Sequence, residues 1–212
     1  IYCFQKNGFS NILFNSRVQI PASDGVPIEI SNGLKVTGKR YISNTIGCSN
    51  KWSIAETPLG IYFIDNTINS IYLFNGQLSS LSDNLGFKSW LRENREKNPS
   101  KYGVNNIWTP VLYDNYRTFY DITLGDVYFT CYNTSLVYSE RLGQFMSFMD
   151  YGGIPLMFNK GDQFFSMDSW GGCYLMRGDV GNVYFNYVMP FNVTIVSNSD
   201  FQVDKIFNTV EF

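Results

Sequence analysis

Carboxylate side chains close to predicted turns are the residues of this sequence that could most readily do chemistry. Two carboxyl groups that converge on a cleft can hydrolyse a glycosidic bond, one as general acid and the other as base or nucleophile. Aspartate also favours turns for a structural reason, because its side chain hydrogen-bonds to nearby backbone amides. We therefore interpret these residues as turn formers and keep glycoside hydrolysis as a minor alternative. Seven aspartates stand near the ends of predicted strands: Asp65, Asp121, Asp126, Asp150, Asp162, Asp168 and Asp179.

Several other kinds of active site need residue types that this sequence lacks or places far apart. The chain has no histidine, which removes the commonest general base and a frequent zinc ligand. Its cysteines are Cys3, Cys48, Cys131 and Cys173, and none lies within three residues of another, so no CxxC motif exists. Their disulfide state is left open. The sequence predicts no enzymatic activity and no catalytic, cofactor-binding or metal-binding residue.

Aromatic side chains suggest a second possible function, the binding of sugars. The chain contains 15 Tyr and 4 Trp residues, and an exposed ring can stack on the apolar face of a sugar. Trp108 and Trp170 are the candidates for such stacking, although aromatic side chains also dominate protein cores. A carbohydrate-binding β-propeller module that recognises host surface glycans is therefore the alternative function.

Composition narrows the range of partners. The chain has 212 residues, which is enough for a substantial core, and only 16% of them are charged. The net charge is −2 and there is no basic run, so no specific nucleic-acid recognition is predicted. No uncharged apolar run approaches the length of a membrane span. Such a polar, weakly charged, aromatic-rich chain suits a β protein that buries much surface in an assembly.

Aromatic-rich and β-branched runs separated by turn residues predict a mainly β protein of antiparallel strands with one inserted helix. The helix is predicted at about 86–97, where Phe87, Trp90 and Leu91 recur at helical spacing and are expected to anchor it. An Asn32-Gly33 pair predicts a hairpin turn within 26–43. The stretches 11–21 and 26–43 are predicted to form short strands broken by turns at Asp24-Gly25 and Asn32-Gly33. Further predicted strands are 61–65, 70–75, 126–130, 135–139, 145–149, 163–167, 172–176, 182–187, 191–197 and 205–212.

One pattern occurs repeatedly along the chain. A glycine followed by an aromatic-rich strand, a polar turn and a second strand begins at Gly60, at Gly125 and, more weakly, at Gly161. Gly125 and Gly161 are 36 residues apart, which is close to the length of one propeller blade. A single blade cannot bury both faces, so blades stack around an axis. We predict an N-terminal β segment at 1–48 and a propeller-like β domain at 49–212.

Several of these stretches resemble one known family. The block "SNKWSIAETPLGIYFIDNTINSIYLFNGQLSSLSDNLGFKSWL" at 49–91 is similar to a block in the tail stabilisation (muzzle) proteins of crAss-like bacteriophages. Three further stretches, at 118–158, 163–167 and 204–212, resemble the same family in the same order. The first forty residues match less clearly. The resemblance covers most of the chain from residue 49 onward, which makes it far more specific than any single motif.

The resemblance implies a structural virion protein of a short-tailed phage, located in the tail or its tip and made in the bacterial host cytoplasm. It implies that the protein stabilises the tail assembly and helps to close the DNA channel until DNA ejection. Expected partners are further copies of the same chain, the tail hub and the remainder of the same tail protein. The resemblance to the family supplies no catalytic residues. The chain is expected to be a domain or a proteolytic product of a larger tail protein.

Overall fold

The computed structural model describes residues 1–14, 17–20, 28–31, 36–83, 87–96, 116–131, 134–150, 156–167, 172–176, 183–184 and 187–188. Within these ranges the chain forms 18 strands, one α-helix and a short 3-10 turn at Lys51–Ser53. Every strand pair is antiparallel. The predicted mainly β class with one inserted helix is confirmed.

The first sheet, sheet I, has the order β1–β2–β5. Its strands are β1 (Tyr2–Gln5), β2 (Gly8–Phe14) and β5 (Val36–Ser43), and β3 (Arg17–Ile20) pairs separately with β4 (Ile28–Ser31). The stretch 11–21 contributes to two strands in different sheets, β2 and β3, although no turn was predicted within it. The predicted pairing across Asn32-Gly33 is also wrong, because β5 pairs with β2 and not with β4.

The next two sheets are four-stranded meanders with the same strand order. Sheet II consists of β6 (Ile54–Thr57), β7 (Gly60–Asp65), β8 (Ser70–Phe74) and β9 (Leu78–Ser80). Sheet III consists of β10 (Tyr116–Asp121), β11 (Asp126–Cys131), β12 (Thr134–Ser139) and β13 (Gln144–Asp150). These two sheets correspond to the first two copies of the repeated pattern. Their first strands, β6 and β10, were not predicted.

The third copy forms sheet IV, with the order β14–β15–β16 in the described residues. Its strands are β14 (Leu156–Lys160), β15 (Gln163–Met167) and β16 (Cys173–Leu175). A short pair, β17 (Val183–Tyr184) and β18 (Tyr187–Val188), follows. The predicted strand at 182–187 is therefore wrong, because the chain reverses within it. The strands predicted at 191–197 and 205–212 lie outside the described residues.

Glycine shapes the equivalent turns of sheets III and IV. Gly125 lies between β10 and β11 with φ of +70°, and Gly161 lies between β14 and β15 with φ of +63°. Residues with a Cβ atom rarely adopt this left-handed conformation. Gly125 also closes its turn by donating its amide to the carbonyl of Asp121 at 2.9 Å. The glycine that marks each repeat is thus required by the tight reversal between its first two strands.

The helix, α1 (Phe87–Glu96), lies in the connection between sheets II and III. Leu91 is fully buried, whereas Phe87 and Trp90 are partly exposed and pack against the same apolar cluster. Arg92 and Glu93 face solvent. The predicted residues 86 and 97 at its two ends lie outside the described part of the chain.

The four larger sheets stack face to face in chain order. We call the face of a sheet that points to the next sheet in sequence its forward face, and the opposite face its backward face. One apolar cluster fills the space between sheets I and II, a second fills that between sheets II and III, and a third fills that between sheets III and IV. Strand β7 explains why both faces of sheet II are apolar: Tyr62 and Ile64 point forward, and Phe63 points backward. Strand β7 is therefore buried on both faces.

The N-terminal segment shares a core with the sheet that follows it. Phe9 of β2 is fully buried, and its ring centroid lies 5.7 Å from that of Phe63 and 4.9 Å from that of Phe74. The amide of Cys48 donates to the carbonyl of Gln5 at 2.9 Å. A division of the chain after residue 48 stays a prediction, and any such division crosses this shared core.

Candidate functional site

Among the described residues, the apolar cluster between sheets II and III contains the most buried side chains. Tyr62 on the forward face of sheet II packs against the backward face of sheet III, with ring centroids 6.2 Å from Phe129 and 5.9 Å from Tyr138. Tyr62 and Phe129 are both fully buried. Burying such rings contributes roughly 1.5–3 kcal/mol each. This interface is therefore a core formed between two separate sheets.

Polar side chains link the same two sheets at the margins of the apolar contact. The side-chain amide of Asn50 donates to the carbonyl of Tyr116 at 2.8 Å, and the hydroxyl of Thr118 donates to the carbonyl of Ser53 at 2.9 Å. The side chains that make these contacts are buried, namely those of Asn50, Ser53 and Thr118. Since an unpaired buried polar group is costly, these hydrogen bonds fix the relative position of the two sheets.

Three tyrosines surround the partly buried carboxylate of Glu140 at the turn end of this interface. Burial raises the pKa of the Tyr62 phenol, and the negative charge of Glu140 raises it further. Burial followed by the same carboxylate also raises the pKa of Tyr120 and of Tyr138. The phenols therefore keep their protons. The hydroxyl of Thr57 in sheet II donates to the Glu140 carboxylate, which gives the charge a partner across the interface.

Helix α1 closes the outer side of this interface. The hydroxyl of Tyr116 in β10 donates to the carbonyl of Leu91 at 3.0 Å. The ring of Phe87 lies 4.5 Å from that of Phe145, and the ring of Trp90 lies 5.2 Å from that of Phe148, both in β13. The three residues expected to anchor the helix therefore all face the sheets, with Leu91 the most deeply buried.

The interface between sheets III and IV repeats this design on a smaller scale. Tyr128 on the forward face of sheet III packs against Phe164, with ring centroids 5.3 Å apart. The side-chain amide of Asn159 in β14 donates to the carbonyl of Tyr120 at 2.6 Å and accepts from the amide of Ile122 at 3.3 Å. Sequence analysis did not find Asn159, because nothing distinguishes it from the other polar residues next to turns.

Two of the aspartates considered for glycoside hydrolysis take part in turns, as predicted. Asp65 is buried, and its carboxylate accepts from the amides of Thr67 at 2.8 Å and Gly47 at 2.9 Å. Asp121 is also buried and accepts from the amide of Thr123 at 2.9 Å. These contacts agree with the interpretation as turn formers.

The remaining aspartates give no paired site in the described residues. Asp126 and Asp162 lie at the start of β11 and in the turn before β15, respectively. Asp168 and Asp179 lie outside the described part, as does the side chain of Asp150. A surface depression of about 300 Å³ beside the Thr57–Gly60 turn contains Glu56 as the single carboxylate among its described lining residues. That arrangement lacks the second carboxyl group that glycoside hydrolysis requires.

Side chains that could bind a metal ion or form disulfides were also compared within the described residues. No group of three or more histidine, cysteine, aspartate or glutamate side chains is placed to hold a metal ion in those ranges. All four cysteines lie in the described part and none forms a disulfide. Cys48 and Cys131 are buried, and burial raises the pKa of the Cys48 thiol. A buried thiol of this kind acts as a small apolar side chain.

Two further predictions concern sugar binding and the absence of a membrane span. The candidate sugar-stacking residues Trp108 and Trp170 lie outside the described residues, so the carbohydrate-binding alternative stays a prediction. Within the described ranges, no helix is long and apolar enough to cross a membrane.

The fold and these interfaces define a protein of stacked antiparallel sheets, in which the described apolar clusters and the hydrogen bonds between sheets lie where one sheet meets the next. The chain belongs to the Crassvirus muzzle protein family, whose model matches residues 1–170. It is 57% identical to the muzzle protein of Bacteroides phage crAss001 over all 212 residues. The match covers 15% of the length of that relative.

Proposed function

We propose that this chain forms part of the tail of a short-tailed crAss-like phage, at or near the tail tip. There it stabilises the tail assembly and helps to close the DNA channel until infection. Its sheets act as propeller-like blades, and several copies associate with one another, with the tail hub and with the remainder of the same tail protein. The observation that carries the proposal is the chain-ordered stack of sheets with three interposed aromatic clusters.

The positions of the first strands support a propeller-like arrangement. Strand β10 lies beside β6 of the preceding sheet and beside β14 of the following sheet. The forward face of each sheet meanwhile packs on the backward face of its successor. In a propeller, blades stack face to face around a central axis, so the strands nearest the axis adjoin each other in this way. The repeated strand order of sheets II and III fits the same architecture.

The charge of the chain supports a role beside packaged DNA that does not involve gripping it. A protein that neutralises phosphates needs clustered lysine and arginine side chains. This chain has 16 Lys and Arg against 18 Asp and Glu. A weakly charged surface can obstruct a channel without holding the DNA backbone when the channel opens.

Immunogold labelling of purified phage particles with an antibody against this chain tests the location. We expect gold at the tail tip, with pre-immune serum as the control. Gold on capsids but not tails, or label confined to infected cells while particles stay bare, contradicts the proposal.

Release of DNA from heated particles tests the stabilising and closing role. A phage carrying Tyr62→Ala loses a fully buried ring between sheets II and III, so we expect a dye to reach its DNA at a lower temperature than in wild type. Arg92→Ala, on the exposed face of the helix, is the control. An unchanged release temperature in Tyr62→Ala particles that still contain the chain contradicts a role in closing the channel.

A further inference from the structure

Two Asn-Gly pairs lie in turns that the structure describes, and their surroundings differ. Asn75-Gly76 lies between β8 and β9, and Asn7-Gly8 lies between β1 and β2. The sequence contains a third pair, Asn32-Gly33, outside the described residues. An asparagine followed by glycine is chemically labile, because glycine has no side chain to shield its amide nitrogen from the side chain that precedes it.

The Asn75-Gly76 turn leaves the reactive atoms open. Asn75, Gly76 and Gln77 are all exposed. A Cβ atom at Gly76 would meet no other atom within 4 Å, and the residue has φ of +101°, which glycine adopts without strain. Among the described residues, no hydrogen bond holds the Gly76 amide. The nitrogen of Gly76 is therefore accessible to the side chain of Asn75.

Solvent also reaches this turn. Asn75 and Gly76 line the surface depression of about 300 Å³ beside the Thr57–Gly60 turn. Water and hydroxide can therefore reach both residues without any opening of the apolar clusters.

The Asn7-Gly8 turn has the same sequence but a covered amide. Gly8 is buried and pairs with Gln5 in sheet I. A Cβ atom at Gly47 would collide with the nitrogen of Gly8, so the backbone at Gly47 packs directly on this amide. The fold thus shields the nitrogen of Gly8 and leaves that of Gly76 uncovered.

Two other described asparagines show how hydrogen bonds restrain the same chemistry. The side chain of Asn50 is buried, and its amide donates to the carbonyl of Tyr116 at 2.8 Å. Asn66 precedes Thr67, whose amide donates to the carboxylate of Asp65 at 2.8 Å. In the first case the side chain that would be attacked is fixed, and in the second the attacking nitrogen is engaged. Neither restraint is present at Asn75-Gly76 among the described contacts.

We propose that Asn75 is a site of spontaneous deamidation in the folded protein. The Gly76 nitrogen attacks Cγ of Asn75 and forms an N–Cγ bond. The Cγ–Nδ2 bond breaks, and Nδ2 leaves as ammonia together with the proton of the Gly76 amide, which gives a cyclic imide. Water then opens the ring at Cγ to give aspartate, or at the backbone carbonyl carbon of Asn75 to give isoaspartate. Water is the co-reactant, and nothing is oxidised or reduced.

Either product introduces a negative charge into a turn whose three residues, 75–77, are uncharged. The flanking residues Phe74 and Leu78 pair with each other and belong to the apolar cluster between sheets I and II. The modification therefore changes the charge at the margin of this contact while its apolar side chains remain the same. This inference rests on the geometry of the turn and not on the role in the virion.

Peptide mapping of the full chain by mass spectrometry tests the proposal. The folded protein is incubated in mildly alkaline buffer made with oxygen-18 water, which labels each site where water opens an imide ring. We expect Asn75 to convert several-fold faster than Asn7. In guanidinium chloride the two rates should approach each other, because unfolding uncovers both glycine amides. Equal rates in the folded protein, or an Asn75 that stays intact there, overturn the proposal.

Charge variants provide a second measurement with a matched control. In an Asn32→Gln background, which removes the third pair, ion-exchange chromatography should show an acidic form that accumulates with time. Asn75→Gln should remove most of it, because attack on the longer side chain has to close a larger ring. Asn7→Gln alters the covered pair and should leave the accumulation unchanged. An acidic form that grows as fast in the Asn75→Gln chain as in the Asn7→Gln chain contradicts the assignment of the site to Asn75.

Discussion

The hydroxyl of Thr57 in sheet II donates a hydrogen bond to the carboxylate of Glu140 in sheet III, although the two residues are 83 positions apart in sequence. The contact joins equivalent ends of consecutive sheets. Thr57 is itself buried and also accepts from the amide of Leu59 at 3.2 Å. The Thr57 hydroxyl thus stabilises the turn of its own sheet and also binds a residue of the next sheet.

Replacing this hydroxyl by a methyl group should destabilise the chain. We expect Thr57→Val to lower the free energy of unfolding by about 1–3 kcal/mol, because the hydrogen bond to a charged group is lost while side-chain volume is kept. Urea denaturation measures this, and a double-mutant cycle with Glu140→Ala isolates the pair. Thr37→Val, which removes an exposed hydroxyl bonded to the carbonyl of Leu13, is the control. If both valine variants lose the same stability, the contact with Glu140 contributes nothing.

The buried tyrosines should make stability depend on pH in the alkaline range. Burial and Glu140 raise the pKa of Tyr62 above its ordinary value of 10.0. The unfolded chain therefore loses this proton before the folded chain does. The stabilisation from Tyr62 is complete below about pH 10 and declines as pH rises further, with a slope of up to about 1.4 kcal/mol per pH unit.

Denaturation between about pH 8 and pH 11 measures this dependence. We expect Tyr62→Phe to reduce the alkaline slope by the contribution of one phenol. Phe129→Leu, in the same cluster, should lower stability at every pH and leave the slope as it is. A Tyr62→Phe profile parallel to that of wild type is the outcome that contradicts the pKa argument.

Leu91 should contribute more to the stability of the packed helix than its neighbours do. Leu91 is fully buried between the sheets, so Leu91→Ala should cost about 2–5 kcal/mol of unfolding free energy. Trp90 is partly exposed, and Trp90→Ala should cost less than the roughly 3–5 kcal/mol typical of a buried ring.

Thermal and urea denaturation provide the comparison. The exposed neighbour Arg92 supplies the matched control, since Arg92→Ala should change stability by no more than about 0.5 kcal/mol. A loss at Leu91 as small as that at Arg92 would show that the helix does not contribute to the core.

Gly47 should tolerate no side chain. A Cβ atom there would collide with the carbonyl oxygen of Gln5 and the amide nitrogen of Gly8, which are backbone atoms of the first hairpin. We expect Gly47→Ala to cost about 1–3 kcal/mol or more by separating this hairpin from sheet II. At Gly38 the nearest atom to such a Cβ is Leu13 Cδ1 at 3.8 Å, so Gly38→Ala is the control. Hydrogen exchange at 2–5 should rise in the Gly47 variant alone.

The sequence predicted strands well where the local pattern and the tertiary packing agree. Strand β7 is apolar on both sides, and both sides are buried in clusters that the alternation of Tyr62, Phe63 and Ile64 anticipates. The role of Asp65 in a turn also follows from its residue type and position. The glycine of each repeat indicated the turns at Gly125 and Gly161 correctly.

One error concerns a strand whose partner is distant in sequence, and others concern strands that the local pattern marks only weakly. The Asn32-Gly33 signal is local, but β5 pairs with β2, where the burial of Phe9 decides the arrangement. Strands β6 and β10 are short or contain polar residues, and only their neighbouring sheets make their burial favourable. Contacts such as that of Asn159 with Tyr120 depend on how two sheets meet, which no local pattern specifies.

The chain-ordered stack has a consequence for synthesis on the ribosome. Each sheet packs on the one that precedes it in the chain, so its partner surface has already emerged when its own strands appear. Folding can then proceed vectorially from the N-terminus, because domains and their parts fold as they leave the ribosome. The forward face that still lacks its partner during synthesis is then that of the most recently completed sheet, which limits aggregation during translation of so aromatic a chain.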